Sequence, residues 1–357
     1  METKQEHSRT EAFPATLGLF EKRIDGDDAL MELARLRFEQ AGMGSEMHAG
    51  TPEELEKLMR FQPSSNAPGI VHLPRNFSLL DEWCRQRILQ LASQFCGRIA
   101  GLVLHDQAEL ETRTRDFRHA AEELNSGLER LERGPTVYVE YAVGLAPSAF
   151  VKLFELIKEL PLVSACVDIG HVGIRQARNV YAAAHGGQDV CGLKAHPARL
   201  PEAITDIQSS VASALPVVLS LLDSLGAIGK ALHFHLHDGH PLSTLSPFGV
   251  SDHLSFYQQI ALAFEYRGER SVPLLFGPEG LEQIVTHAVR VTGPERVSFT
   301  LEIHPANGRL ALGDATPLFN HWRDKTNAER MNQWLSVLAR NHALLRNAIQ
   351  ASRTSRL

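Results

Sequence analysis

The chain has few cysteines, no long uninterrupted apolar run and no excess of basic residues. Its 357 residues include only four cysteines, none of them in a Cys-x-x-Cys pair: Cys84, Cys96, Cys166 and Cys191. This usage excludes a disulfide framework and a cysteine-type zinc site. Together with a polar, mixed-charge N-terminal segment that is unlike a secretory signal, it predicts a cytoplasmic protein with reduced thiols.

Membranes and nucleic acids are not the partners that this composition favours. The most apolar stretch, Ala214 to Gly229, is interrupted by Pro216 and Asp223 and is too short to span a bilayer. The formal net charge is −6, whereas sequence-independent nucleic-acid binders usually have a basic face. The charge disfavours nucleic acid without excluding a local basic groove, and we expect a small-molecule substrate.

Short apolar runs alternate with longer amphipathic ones along the whole chain, which is the pattern of βα units. Eight strands are predicted, at Thr16–Phe20, Ser45–Ala49, Gly69–Leu73, Ile99–His105, Thr136–Tyr141, Val163–Ile169, Ala231–His237 and Val297–Ile303. Helices are predicted between them, among them Asp28–Gln40, Asp81–Phe95, Glu109–Leu131, Ser148–Leu160 and one that begins with the capping box Thr51-Pro52-Glu53-Glu54.

Eight such units without a break in composition predict an α/β protein made of a single (β/α)8 TIM barrel. A doubly wound sheet is the main rival, but the first strand lacks the glycine-rich turn that such sheets carry. We expect one domain over residues 1–357, with the barrel at about 16–305. Lid-like extended βα loops at 185–201 and 241–252 and an extra C-terminal helix within 320–350 complete this prediction. Packing of that helix on the barrel is favoured over a contact in a homo-oligomer.

Histidine is the abundant residue, with 17 in the chain. Side chains at the carboxyl ends of barrel strands converge on one mouth. The predicted strand ends supply imidazoles and carboxylates there: His48, His72, His105, Glu140, Asp168, His171, His235, His237, Glu302 and His304. A single histidine in a strand is more often a core residue than a ligand. Buried carboxylates such as Glu140 and Glu302, however, need a cation or a proton.

Mixed imidazole and carboxylate ligands suit Mn, Co, Zn or Fe better than Mg or Ca. The sequence therefore predicts a divalent-metal site. His48 and His237 are predicted substrate contacts, as are Lys194 and Arg199, which would hold an anionic group. His7, His119, His287, His321 and His342 lie in polar or helical context and are expected to be surface or packing residues.

The chain resembles the xylose-isomerase-like TIM barrels, which include sugar isomerases, epimerases and endonuclease IV. The resemblance covers about residues 16 to 305. It depends on the order and spacing of IVHLPRN (70–76), LVLHD (102–106), VYVEYA (137–142), VDIGH (167–171), HLHDGH (235–240), SDH (251–253) and FTLEIHP (299–305).

The isomerase and epimerase branch implies one metal held by Glu140, Asp168, His235 and Glu302, with His171 at the substrate. The implied reaction is isomerisation or epimerisation of a sugar, sugar phosphate or polyol. Glu140 and Glu302 would transfer the proton through a metal-stabilised enediolate.

The endonuclease IV branch implies up to three metals and hydrolysis of a phosphoester. Its larger ligand set would add His72, His105, His171, Asp252 and His253. Two departures disfavour this branch: Asp252 and His253 are adjacent, where endonuclease IV has one residue between them, and Tyr141-Ala142 replaces an Asn-Thr pair. A third alternative is a barrel that binds metal or sugar without turnover.

Overall fold

The computed structural model shows a closed barrel of eight parallel strands surrounded by helices. It describes residues 14–19, 27–60, 62, 69–142, 145–238, 244–245, 264–266, 269–271, 275–302 and 328–354. Each barrel strand pairs with its neighbours in chain order, and the last closes on the first with Leu19 opposite Glu302. The predicted TIM barrel is confirmed.

The barrel strands match the predicted ones within one residue at each described end. They are β1 (Ala15–Leu19), β2 (Gly44–His48), β3 (Gly69–His72), β4 (Ile99–His105), β5 (Thr136–Glu140), β6 (Val163–Asp168), β7 (Leu232–Leu236) and β10 (Val297–Glu302). Two short antiparallel strands, β8 (Phe264–Tyr266) and β9 (Glu269–Ser271), form a separate hairpin between β7 and β10.

Ten α-helices fall within the described ranges. They are α1 (Asp28–Ala41), α2 (Pro52–Met59), α3 (Glu82–Gln94), α4 (Thr114–Glu129), α5 (Pro147–Leu156), α6 (Ile169–Ala184), α7 (Leu200–Val211), α8 (Ala214–Ile228), α9 (Gly277–Thr292) and α10 (Ala328–Thr354). The predicted capping box is present, since Thr51 accepts from the Glu54 backbone N–H and the Glu54 carboxylate accepts from the Thr51 N–H.

Two predicted helices are shorter than expected. The segment 109–131 divides into a 3₁₀ turn, Ala108–Glu111, and α4. Between them the Glu109 carbonyl accepts from the Thr112 hydroxyl and from the backbone N–H groups of Thr112 and Arg113. Helix α5 ends at Leu156, four residues early. Beyond it the Lys230 ammonium donates to the carbonyls of Ile157 and Leu160, and the Leu160 N–H donates to the Ile157 carbonyl in a tight turn.

The barrel interior is layered. Leu17, Ile70, Val103, Tyr138 and Cys166 form a small apolar cluster that is separate from the main core between strands and helices. Gly101 makes room for it, because a Cβ there would lie 2.7 Å from the Tyr138 ring. Polar side chains of the same strands, set further toward the carboxyl ends, line the mouth.

Helix α10 packs against α1 and α9 and contacts β1 and β10. It therefore occupies the place of the eighth barrel helix. The Thr16 hydroxyl on β1 lies 2.6 Å from His342 Nε2 on α10, and both side chains are buried. The interpretation of the C-terminal helix as a packing element is supported by this contact.

One segment, Glu202–Ile228, is long and apolar enough to cross a membrane by length and composition alone. Here it is divided into α7 and α8 at Ala212 and Ser213. The α8 side chains of Val218, Leu222 and Leu225 belong to the main core.

Candidate metal centre

The mouth of the barrel brings together the carboxylates and imidazoles expected there. The strand ends and the first turn of α6 place them, with nearly all of them buried: His72, Glu140, Asp168, His171, His235, His237 and Glu302, together with the half-buried His48 and His105. Alternate residues of a strand face the same side, so the last three residues of a strand can present two such groups to the barrel interior.

Glu140 at the end of β5 is the most connected carboxylate. Its Oε2 lies 3.1 Å from His72 Nε2 and 3.5 Å from His105 Nε2, and its Oε1 lies 3.4 Å from His235 Nδ1. Burial alone would raise its pKa, but the surrounding imidazoles of His105, His235 and His72 hold the pKa well below its usual value. Glu140 is therefore ionised, and its oxygens could coordinate a metal ion together with these histidines.

His235 on β7 lies between two carboxylates at the mouth and one below it. Its Nδ1 is 3.4 Å from an oxygen of Glu140 and 3.4 Å from an oxygen of Glu302. Its Nε2 is 2.9 Å from Glu46 Oε1 on β2. Although burial opposes the charged form, the facing anionic groups raise the pKa of His235 well above its usual value. The same negative surroundings would hold a divalent cation.

Asp168 ends β6 and caps α6. Its Oδ1 accepts from the His171 backbone N–H at 3.0 Å and lies 3.0 Å from His237 Nε2, while Oδ2 is 3.5 Å from His171 Nε2. Burial opposes ionisation, but the two imidazoles outweigh it and lower the pKa of Asp168 to about 2. Gly170 permits this arrangement, since a Cβ there would lie 2.1 Å from the His237 ring.

Glu302 behaves differently from the other mouth carboxylates. Burial, together with the charges of Asp168 and Glu140, raises its pKa in spite of the opposing effect of His235. The mouth thus contains two carboxylates whose pKa values are lowered, Glu140 and Asp168, and a third, Glu302, that binds a proton more readily. Such divergence between neighbouring acids is typical of sites that use one as base and one as acid.

Several overlapping groups of side chains have ligand atoms close enough to hold a metal ion. At the mouth they are His72–His105–Glu140, Glu140–Asp168–His171 and Asp168–His235–Glu302, with all ligand atoms of a group within 4.8 Å of one another. His105 Nδ1 is buried and makes no hydrogen bond within the described part of the chain. Mixed oxygen and nitrogen donors in this number fit a first-row transition ion.

The structure does not bring every predicted site residue to the mouth. Arg199 is exposed and lies near Tyr181, close to the carboxyl end of α6, whereas Asp168 and His171 lie at its amino end. Sixteen residues of helix, about 24 Å, separate those two ends. The expectation that 185–201 is a βα loop is wrong, because α6 lies between the sixth strand and this segment, which therefore follows a helix. Asp252, His253, His304 and the Lys194 side chain lie outside the described residues.

The predicted substrate contacts His48 and His237 do lie at the mouth. The His48 and His72 ring centroids are 4.5 Å apart, and His237 contacts Asp168 as described above. Among the histidines expected to be incidental, His342 packs on β1 and His287 pairs with Asp223 on the surface. His7 and His321 lie outside the described residues.

Sequence reasoning missed Glu46. This carboxylate is fully buried and accepts from His233, His235 and Thr300 inside the barrel. A signal was available, because Glu46 precedes His48 by two residues and therefore shares its strand face. The same parity places His233 two residues before His235.

No family model matches this chain, and the comparison with curated proteins found no match. The resemblance to xylose-isomerase-like barrels therefore stays a prediction. What the fold and the geometry establish is a TIM barrel whose mouth holds buried His, Glu and Asp groups able to bind a metal ion.

Proposed function

We propose that the protein is a divalent-metal-dependent isomerase or epimerase of a sugar, sugar phosphate or polyol. One observation carries the proposal: Glu140 and Glu302 lie on either side of His235, and their surroundings shift their pKa values in opposite directions. Epimerisation at carbon uses two such groups on opposite faces of the substrate, one that accepts a proton and one that delivers a proton.

The residues that would hold the metal are Glu140, Asp168, His235 and Glu302. Their mixed donors favour Mn, Co, Zn or Fe. When bound, such an ion polarises a substrate carbonyl and acidifies the neighbouring C–H.

The side chains of the chain itself supply the proton transfer and the positioning. Glu140 and Glu302 take and return the carbon-bound proton, and His171 orients a substrate hydroxyl. His48, half-buried at the mouth, and His237, beside Asp168, contact the remainder of the substrate. Burial of the carboxylates keeps bulk water from competing for the proton.

A second candidate is hydrolysis of a phosphoester with two or three metals. The specific observation in its favour is the group His72–His105–Glu140, which offers a separate ligand set that shares Glu140 with the Asp168 side of the mouth. A carboxylate common to two ligand sets is the arrangement by which two metals are held close together to activate a water and stabilise a leaving oxygen.

Metal content of the purified protein, measured by elemental analysis, separates these candidates. About one Mn, Co, Zn or Fe per chain, together with metal-dependent exchange of solvent deuterium into ketoses or their phosphates, supports the isomerase. Two or three metals per chain, with cleavage of a phosphodiester, support the hydrolase. If the protein binds none of these metals at micromolar metal concentration, both candidate functions are refuted.

Two further comparisons complete the test. A duplex with one abasic site, set against an intact duplex, shows whether the hydrolase candidate includes DNA. Tight binding of a sugar without exchange or turnover identifies instead a non-catalytic binding barrel. The cytoplasmic location and the small-molecule partner stay predictions.

A further inference from the structure

We propose that Glu46 is a positioning residue that fixes the His235 ring so that Nδ1 faces the mouth as a metal ligand. The inference rests on the proposed metal centre. It adds a residue of β2, a strand that supplies none of the predicted metal ligands, and it assigns a task to a fully buried carboxylate that the proposed reaction does not touch.

The contacts of Glu46 leave it one orientation. Oε2 accepts from the Thr300 hydroxyl at 2.5 Å and lies 3.1 Å from His233 Nε2, while Oε1 lies 2.9 Å from His235 Nε2. Side chains of β7 and β10 thus hydrogen-bond to the carboxylate of β2 across the barrel interior. Rotation of its side chain would break hydrogen bonds of a fully buried carboxylate, where each is costly to lose.

The network is anchored on its far side as well. His233 Nδ1 lies 2.7 Å from Ser298 Oγ on β10. Ser298 is opposite His233 in the strand register, and Thr300 is opposite His235. Two successive rungs of the β7–β10 ladder therefore support the same carboxylate, which gives Glu46 a fixed position from which to orient His235.

A carboxylate is an acceptor only, so its partner nitrogen on His235 must carry the proton. In the neutral ring the opposite nitrogen, Nδ1, then carries no proton and can bind a metal. It lies 3.4 Å from oxygens of both Glu140 and Glu302. Carboxylate–histidine pairs of this kind set the tautomer and ring orientation at metal sites and raise the basicity of the ligating nitrogen.

Two other roles for Glu46 would have different consequences. Glu46, His72 and His235 have ligand atoms close enough to hold a metal themselves, which would make Glu46 a direct ligand. Alternatively, the Glu46–His233–Thr300 contacts stabilise the interior and have no effect on the mouth. Metal affinity, metal count and spectroscopy distinguish the three roles.

The test compares Glu46→Gln with wild type in metal-free protein loaded with Co²⁺. Glutamine keeps the size of the side chain, but its neutral amide can donate to Nε2 and favour the wrong tautomer. We expect the Co²⁺ dissociation constant, from chelator competition, to rise by about 10- to 100-fold. The visible Co²⁺ spectrum should change in band position or intensity, at an unchanged number of Co²⁺ bound at saturation.

Two matched variants keep the test decisive. Glu46→Asp retains the acceptor and the charge, so it should recover part of the lost affinity. Thr300→Val removes one support of Glu46 without removing the carboxylate, and it should weaken binding less than Glu46→Gln, by a few-fold. It also replaces Glu46→Gln as the main measurement should that variant fail to fold.

Each outcome has one meaning. Unchanged Co²⁺ affinity and spectrum in a folded Glu46→Gln, or in Thr300→Val if it is the only folded variant, overturn the positioning role even if the melting temperature falls. Loss of one Co²⁺ per chain at saturation also overturns it, in favour of a direct ligand. Absence of Co²⁺ binding in wild type refutes the proposed metal centre itself, which is a distinguishable failure.

Discussion

Gly170 lies directly against the ring of His237. A Cβ at position 170 would sit 2.1 Å from Cε1 of that ring, far inside van der Waals contact. The ring is fully buried and lies 3.0 Å from Asp168 Oδ1. Because position 170 has no side chain, the first turn of α6 can approach the His237 ring closely. Asp168 Oδ1 can then contact both His237 Nε2 and the His171 backbone N–H.

Gly170→Ala should displace His237 and disturb Asp168. We expect a loss of about 1–3 kcal/mol in the free energy of unfolding, as is typical of overpacking, and a weaker metal affinity. Chemical denaturation and metal titration measure the two effects. Gly192→Ala is the matched control, because nothing lies within 4 Å of a Cβ there. Wild-type values for Gly170→Ala would contradict the contact.

Glu302→Gln should abolish turnover under either proposed enzymatic function. Removal of a general acid or base typically costs 10²- to 10⁴-fold in rate. Loss of one buried carboxylate also removes repulsion from Asp168 and Glu140, so the variant should remain folded. Initial rates with saturating metal measure the first effect, and a melting curve the second. Glu295→Gln, a change at a mostly exposed surface carboxylate, serves as control. Full activity in Glu302→Gln would refute the site assignment.

The substitutions His72→Ala and His105→Ala distinguish a site with one metal from a site with several. If the His72–His105–Glu140 group holds a metal, each substitution should lower the metal content by about one ion per chain and reduce activity at least 10-fold. If a single metal lies on the Asp168–His235–Glu302 side, the content should stay at one and mainly KM should rise. Elemental analysis beside steady-state kinetics decides between these outcomes.

The stability of the barrel should fall in mild acid through His342. Burial, aided by the charge of Arg346, lowers the pKa of His342 to about 4. An unfolded histidine binds its proton near pH 6.5, so between pH 6.5 and 4 the unfolded state binds more protons. The free energy of unfolding therefore decreases as the pH falls through this window, by up to about 3 kcal/mol.

His342→Gln cannot bind that proton. Its free energy of unfolding, from urea denaturation between pH 7.5 and 4.5, should fall less steeply than that of wild type, and the two curves should converge toward low pH. Parallel curves would show that His342 contributes nothing to the acid sensitivity.

The sequence was sufficient for the strands and for most of the mouth. Short apolar runs between longer amphipathic segments located each strand. Barrel geometry then placed Glu140, Asp168, His235 and Glu302 at one end without any knowledge of their contacts. The mouth residues could be predicted because strand ends of a parallel barrel converge whatever their sequence separation.

The interior contacts could not be predicted in the same way. Glu46 and His233 are 187 residues apart, and their pairing depends on the register and tilt of strands that meet across the barrel. Arg199 was misplaced for a related reason: its distance from the sixth strand depends on how far α6 extends before the chain turns back. Neither quantity is encoded in local periodicity.

The closure of β1 on β10 has a consequence in time. Leu19 of β1 is opposite Glu302 of β10, so β1 cannot form this pairing until β10, the last barrel strand, has been synthesised. Contacts between such distant segments are the slow ones in folding. While the chain is being synthesised, Glu140, Asp168 and His235 are present long before Glu302, and the complete ligand set arises only when the ring closes. Any metal that requires all four ligands is thus loaded late, on a nearly finished barrel.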